Sequence, residues 1–298
     1  MRYFILIGGN LAVGAAAIFA RFALEGAGYL SVSALRLAIA ALAVRAIRLV
    51  VRPTGVLNAN EERLLVWAGL ALALHFAMWI GSLNYLSVAT ATLLVCVTPL
   101  WTSLYEALVL KMPPPRAVWF AMGGGAIGIV LLVHGDTSIP PVPGYTMLGA
   151  GMALTGSVMI GAYLFLVREI RREISTWTIV SRTYTWAALA LAFAALSTHQ
   201  AVPLANGRAW FGILAMALLS QLCGHTLFNL ALRYVPPSTI AFSTLLEPVF
   251  AGAIAAMVFS ERLPATAILG AAVVLACIAT VLRSDRFAQA ELVKAETL

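Results

Sequence analysis

Charge is what this chain most lacks. Only 10% of its 298 residues are charged, while 62% are hydrophobic. Soluble domains carry about 25% charged residues, so that class is excluded and an integral membrane protein is indicated. Cysteine is also scarce. Cys96, Cys223 and Cys277 all fall inside apolar runs, with the spacing of neither a disulfide framework nor a metal site. Each is read as a small core residue. There is no phosphate-binding glycine loop, nucleophile elbow, catalytic triad or nucleic-acid motif. The chain is therefore not expected to be an enzyme, and neither a cofactor nor direct use of ATP is expected. Strand-like alternation is missing too, which excludes an outer-membrane barrel.

What the chain has is long apolar runs. A spanning helix needs about 20 apolar residues, and ten candidates can be drawn: Tyr3–Phe22, Leu30–Val50, Leu64–Tyr85, Ala89–Leu110, Ala117–Val133, Tyr145–Val167, Trp177–Leu196, Ala209–Leu232, Ser238–Phe259 and Ala265–Leu282. The first is long for a signal sequence and lacks a small-residue cleavage site before Arg21, so it is read as a retained span. The formal net charge of +7 would suggest nucleic acid in a soluble chain. Here the basic residues sort by loop. With the N-terminus inside, the cytoplasmic segments hold Arg45, Arg48, Arg52, Arg63, Arg168, Arg171 and Arg172 among others; the outer ones hold only Arg21, Arg208 and Arg262. That bias predicts a multi-pass protein of the inner (plasma) membrane with both termini cytoplasmic and no nucleic-acid partner.

The stretch Ser243–Phe250 stands out, because Glu247 and Pro248 interrupt an otherwise spanning run. A carboxylate at that depth is costly, by a contested ~3 kcal/mol or more, and normally faces a cavity or a partner. Pro248 frees the carbonyl of Thr244, which lipid cannot satisfy. Thr98-Pro99 is a counterpart. One sequence offset matches Leu83 with Leu232, Tyr85 with Tyr234, Thr90 with Thr239, Pro99 with Pro248, Ala107 with Ala256 and Pro115 with Pro264. Residues 1–138 and 145–283 are thus read as two five-helix repeats. The Pro-rich connector 139–144 joins them, and a cytoplasmic tail, 284–298, follows. An odd number of spans per half makes the second inverted, an arrangement that places substrate near the midplane. The fold class expected is all-α, with ten transmembrane helices in two inverted five-helix repeats.

This organisation, with Thr98-Pro99 echoed by Glu247-Pro248, in-span Arg36 and Arg182, and proline turns at Pro113–Pro115 and Glu261–Pro264, resembles the drug/metabolite transporter superfamily in its EamA-type branch. The resemblance implies metabolite or amino-acid export by alternating access. It also implies a central cavity among the first four spans of each half, with spans five and ten at the periphery. The departure is Thr98, which stands where the second half has its carboxylate.

Several constellations supply candidate binding residues. Gln221, His225 and Asn229 fall at i, i+4 and i+8, one stripe along an α-helix. His75, Trp79 and Ser82 form a similar stripe on span three. Each has a plainer reading as interhelical glue. Trp79, Trp101 and Tyr163 lie deep and suit an aromatic-walled pocket, or ordinary packing. Glu247 is read as a proton-coupling or amine-binding group, or as half of an ion pair with Arg36 or Arg182. Those arginines are read either as substrate-carboxylate or Glu247 partners, or as side chains that snorkel to the membrane boundary. Pro99 and Pro248 are the expected kinks. Gly124 and Gly128 permit close helix approach, within the chain or in a homodimer.

The sequence thus predicts a secondary transporter that exports small metabolites, amino acids foremost. Its substrate site comprises His75, Trp79, Thr98, Trp101, Tyr163, Gln221, His225, Asn229 and Glu247. The expected partners are a small-molecule substrate, the bilayer and protons. Alternatives are an uptake carrier or exchanger, a channel, and a membrane-embedded lipid-modifying enzyme; the last would cluster its acids and histidines at an interface rather than mid-span.

Overall fold

The computed structural model describes residues 2–52, 57–109, 116–135, 145–170, 174–235, 237–260, 264–277 and 279–280. The expected connector and tail, the turn at Pro113–Pro115, Lys111 and Arg262 lie outside these, as do the side chains of Glu106, Trp119 and Phe250. Among the described residues every regular element is helical.

Apolar runs with short punctuation form helices because a hydrocarbon surround leaves the backbone no partner but itself. In order they are α1 (Arg2–Gly14), α2 (Ala16–Leu24), α3 (Tyr29–Val51), α4 (Ala59–Ser82), α5 (Val88–Val95), α6 (Thr98–Val109), α7 (Arg116–Gly135), α8 (Tyr145–Ile170), α9 (Thr176–Ser197) and α10 (Gly207–Ala215). A π-helical segment, Met216–His225, continues α10 into α11 (Thr226–Ala231). Then come α12 (Pro237–Ser243), a 3₁₀ turn Thr244–Leu246, α13 (Glu247–Phe259) and α14 (Ala265–Cys277). Local chemistry sets the ends. Asn58 and Glu61 form a reciprocal capping box at the start of α4, worth about 1 kcal/mol. Ser87 caps α5 and Asn206 caps α10. Left-handed residues Arg52 and His199 end α3 and α9.

Six stretches among the described residues are long and apolar enough to cross a membrane: Phe4–Leu24, Ala59–Ser82, Val88–Tyr105, Tyr145–Ile170, Thr176–Ser197 and Gly207–Ala231. The distribution of polarity agrees. Large apolar side chains point outward, with Phe4 at 80% and Phe193 at 74% exposure, while Arg36 and Gln221 are wholly enclosed. Water-soluble proteins invert that pattern. Outward-facing phenyl and alkyl groups beside a polar interior suit lipid contact.

Packing joins the two halves of the chain repeatedly. α4 lies on α8, and α1 on the π segment and α11; α3 packs on α9, and α5 on α13. Exchanging first-half for second-half elements maps this set of pairs onto itself. α7 and α14 meet each other at the side. A Cβ on Gly124 would fall 2.7 Å from Cys277 Sγ, and one on Gly128 would fall 2.9 Å from the carbonyl of Gly270. The small-residue stripe is therefore occupied within the chain. Of the two roles expected for Gly124 and Gly128, this contact is the one within the chain.

Candidate functional site

Two prolines create the site. Pro99 has no N–H to give Val95 and Pro248 none to give Thr244. α5 ends at Val95 and α6 begins at Thr98. The freed Val95 carbonyl accepts a hydrogen bond from Thr98 Oγ1 at 2.8 Å, and Thr98 Oγ1 also lies 3.1 Å from Ser157 Oγ on α8. Across the bundle the Thr244 carbonyl accepts the N–H of Glu247 in a tightened 3₁₀ turn and the thiol of Cys96 at 3.5 Å. Cys96, expected only to fill space, thus reaches from one helix break to the other. The expected kinks at Pro99 and Pro248 are real interruptions of the helix ladder.

Between the breaks is a cavity of about 70 Å³. His75, Phe76 and Trp79 of α4 form one wall; Ile160, Tyr163 and Leu164 of α8 another; His225, Phe228 and Asn229 a third. Cys96, Thr98, Thr244 and Glu247 supply the broken backbone's side. Among the described residues, none that lines the cavity comes from α7 or α14. The volume is well below the ~300–1,000 Å³ of a drug-sized pocket, so in this conformation the space admits only a small group.

The lining is held in place by polar contacts. His75 Nδ1 donates to the carbonyl of Gly156 at 2.9 Å, which fixes the proton on Nδ1 and leaves Nε2 as the acceptor of the neutral ring. That bond needs α4 and α8 to touch. A Cβ on Gly156 would sit 3.2 Å from the His75 carbonyl and 3.3 Å from Trp79 N, so glycine is what allows the approach. The His75 ring lies parallel to Trp79, centroids 6.3 Å apart, and edge-on to Phe76 at 4.6 Å. Tyr163 Oη donates to Asn229 Oδ1 at 2.9 Å, and Asn229 Nδ2 donates to the His225 carbonyl at 2.8 Å.

Glu247 is buried and lines the cavity. Among the described residues no hydrogen bond or ion pair engages its carboxylate, although Arg36 is near enough for its charge to act on it. Arg36 does not snorkel. It is fully enclosed, donates from Nε to Gln221 Oε1 at 3.0 Å, and places Cζ 3.9 Å from the Phe76 centroid. A desolvated cation–π contact of this kind is worth about 2 kcal/mol. Arg36 Nη2, Gln221 Nε2 and Trp79 Nε1 are buried donors without a described partner.

Other expected residues go elsewhere. Arg182 pairs with Glu62 at 3.4 Å on the surface, its side chain half exposed, and is therefore not the partner of Glu247. Trp101 does not line the cavity. Gln221 sits one layer behind it, where its backbone carbonyl accepts from Tyr184 Oη at 3.2 Å. The expected Gln221–His225–Asn229 stripe is split, because π-helical i→i+5 bonding changes the angular step assumed for an α-helix. Sequence reasoning missed Phe76 and Phe228, read Cys96 only as a small core residue, and singled out Thr244 for its carbonyl without placing it in the cavity lining. Phe76 and Phe228 adjoin His75 and Asn229, so the width of the cavity wall was the available signal.

The broken helices, polar interior and apolar exterior invite comparison with known proteins. The EamA-like transporter family matches residues 1–134 and 147–283. A protein of Archaeoglobus fulgidus described as an uncharacterized transporter is 26% identical over 253 residues, 84% of this chain and 86% of that one. A solved crystal structure superposes with a TM-score of 0.67 over 96% of this chain and 98% of its own, at 16% identity, which establishes a shared fold. The chain is a multi-pass membrane protein and belongs to the EamA-like transporter family.

Proposed function

We propose that the protein is a secondary transporter that exports a small amphipathic metabolite, foremost an amino acid, across the inner membrane by alternating access. Its ten helices form two inverted five-helix repeats with both termini cytoplasmic. His75, Trp79, Tyr163, His225, Asn229 and Glu247 contact the substrate, while Thr98 holds the first break open. Arg36 and Gln221 act from behind the aromatic wall. The observation that carries the reading is Glu247, a carboxylate in a cavity with no described hydrogen-bond or ion-pair partner. Such a group in a bilayer is retained at a cost, and a substrate ammonium or an exchangeable proton would compensate it. Aromatic walls suit the apolar part of an amphipathic ligand. The exchange symmetry of the helix pairs supports a bundle that rocks about this cavity.

Purified protein in vesicles tests the proposal. Labelled amino acids should show saturable flux and counterflow, with net movement outward when vesicle orientation is controlled. Unsaturable conductance would identify a channel instead, and net inward flux an uptake carrier.

A further inference from the structure

A second cavity, of about 450 Å³, lies apart from the central one and shares no lining residue with it. It is formed where the end of α3, the start of α9 and the π–α11 span converge. Its lining is mixed: Trp177, Leu227 and Leu230 are apolar, and Ser175, Thr176 and Arg233 are polar. These polar groups share one end of the bundle, since α9 begins where α11 stops. Arg233 Nη2 reaches the carbonyl of Ile174 at 3.5 Å, at the very start of α9.

Three features of that end call for an anion. The Ser175 carbonyl takes the N–H of Thr178 at 3.0 Å, but its side chain caps nothing, so the N–H groups of Thr176 and Trp177 have no partner among the described residues. Free N–H groups and the helix dipole favour phosphate there. Thr176, only 6% exposed, lines the cavity, and its Oγ1 has no described partner. A buried hydroxyl left unpaired is costly, so a ligand oxygen that reaches it gains more than a surface contact would. Arg233 then adds a charge-assisted donor to the same point.

The apolar lining says what kind of anion. A soluble phosphate has no use for Trp177, Leu227 and Leu230. An acyl chain attached to the phosphate would cover them, and a tryptophan beside a phosphate suits the headgroup boundary. We propose that this groove binds an anionic phospholipid, its phosphate at Thr176, the α9 N-terminus and Arg233, and one acyl chain along Leu227 and Leu230.

The test uses the purified full chain in detergent, titrated with phosphatidylglycerol, with phosphatidylcholine of the same acyl chains, and with inorganic phosphate. Thermal unfolding is the readout, because a ligand of the folded state raises its apparent stability. Phosphatidylglycerol should raise the unfolding temperature saturably and beyond phosphatidylcholine, and inorganic phosphate should not. Arg233→Gln should weaken the apparent lipid affinity about tenfold, the scale of a lost charge-assisted bond. Thr176→Val should weaken it similarly while leaving the lipid-free unfolding temperature unchanged or higher, since it deletes an unpaired hydroxyl. Equal stabilisation by phosphatidylcholine, equal stabilisation by inorganic phosphate, or undiminished phosphatidylglycerol affinity in both variants would overturn the proposal.

Discussion

The thiol of Cys96 donates to the carbonyl of Thr244 across 3.5 Å, so that a residue in one helix break satisfies the carbonyl that Pro248 leaves open in the other. The bond joins segments 148 residues apart in the chain. It also explains a polar backbone atom that sequence alone left stranded in hydrocarbon.

That bond predicts a graded response to substitution. Cys96→Ser supplies a hydroxyl donor and should preserve thermal stability. Cys96→Val removes the donor and should cost about 0.6 kcal/mol, typical of side-chain bonds inside membrane bundles. Thermal unfolding in detergent distinguishes the two; equal behaviour would show that the 3₁₀ N–H of Glu247 alone suffices.

Glu247→Gln keeps size and hydrogen-bonding capacity but abolishes charge and proton exchange. Its expected outcome is normal expression and monodispersity, with counterflow strongly reduced and flux no longer dependent on pH. Wild-type flux and pH profile in this variant would remove Glu247 from the transport chemistry.

Among the described residues, Arg36 is a buried cation with no anion in contact. Replacing an enclosed charge by an apolar side chain of similar volume is often neutral or stabilising. Arg36→Met should therefore leave the unfolding temperature unchanged or higher, while stabilisation by the proposed substrate falls, because the Phe76 face of the cavity loses the cation stacked behind it. Arg36→Lys should not restore binding, because an ammonium reproduces neither the planar stack on Phe76 nor the fork toward Gln221. Full ligand response in Arg36→Met would make the residue purely structural.

Gly156 and Gly151 offer a matched comparison on α8. A Cβ at Gly156 meets the backbone of α4 at 3.2 and 3.3 Å, whereas one at Gly151 meets nothing within 4 Å. Gly156→Ala should cost about 1–3 kcal/mol through overpacking, lengthen the His75–Gly156 bond and depress transport. Gly151→Ala should be neutral, or stabilising by up to about 1 kcal/mol. Similar unfolding temperatures for the two variants would contradict the close α4–α8 contact.

The placement of the α7 stripe can be checked by cross-linking. In a Cys96→Ser, Cys223→Ser background treated with a copper–phenanthroline oxidant, Gly124→Cys should form a disulfide with Cys277 inside one chain, because the new Cβ lies 2.7 Å from the Cys277 sulfur. A non-reducing gel should then show a monomer that resists thiol alkylation. A dimer band would put Gly124 between chains.

Much of this was legible in the sequence, for reasons that differ by residue. Glu247 and Pro248 could be recognised because a charge and a missing N–H are anomalous anywhere in hydrocarbon, whatever the tertiary structure. The pairs His75 with Trp79 and His225 with Asn229 line the cavity at the four-residue spacing that marked them, and Tyr163, marked by its depth in the span, lines it too. Arg36 and Arg182 looked alike, each some two turns into a span. What separates them is the neighbour: Phe76 and Gln221 enclose the first, and Glu62 draws the second to the surface. Gln221 was misplaced because nothing in Met216–His225 announces π-helical bonding. Cys96 was undervalued because its partner is a backbone carbonyl, which composition never reveals.

The broken helices have a mechanical consequence. α5 packs against α13, and α6 against α12, so the half-helices on the two sides of each break belong to different pairs. A continuous helix would transmit a push at one end to the other as a rigid rod. Here the backbone ladder is interrupted at Cys96–Val97 and tightened at Thr244–Leu246. Strain imposed on one pair can dissipate at the joint before it reaches the other. The two interruptions thus divide each broken span into separate levers, linked across the cavity by the Cys96 thiol and flanked by Glu247.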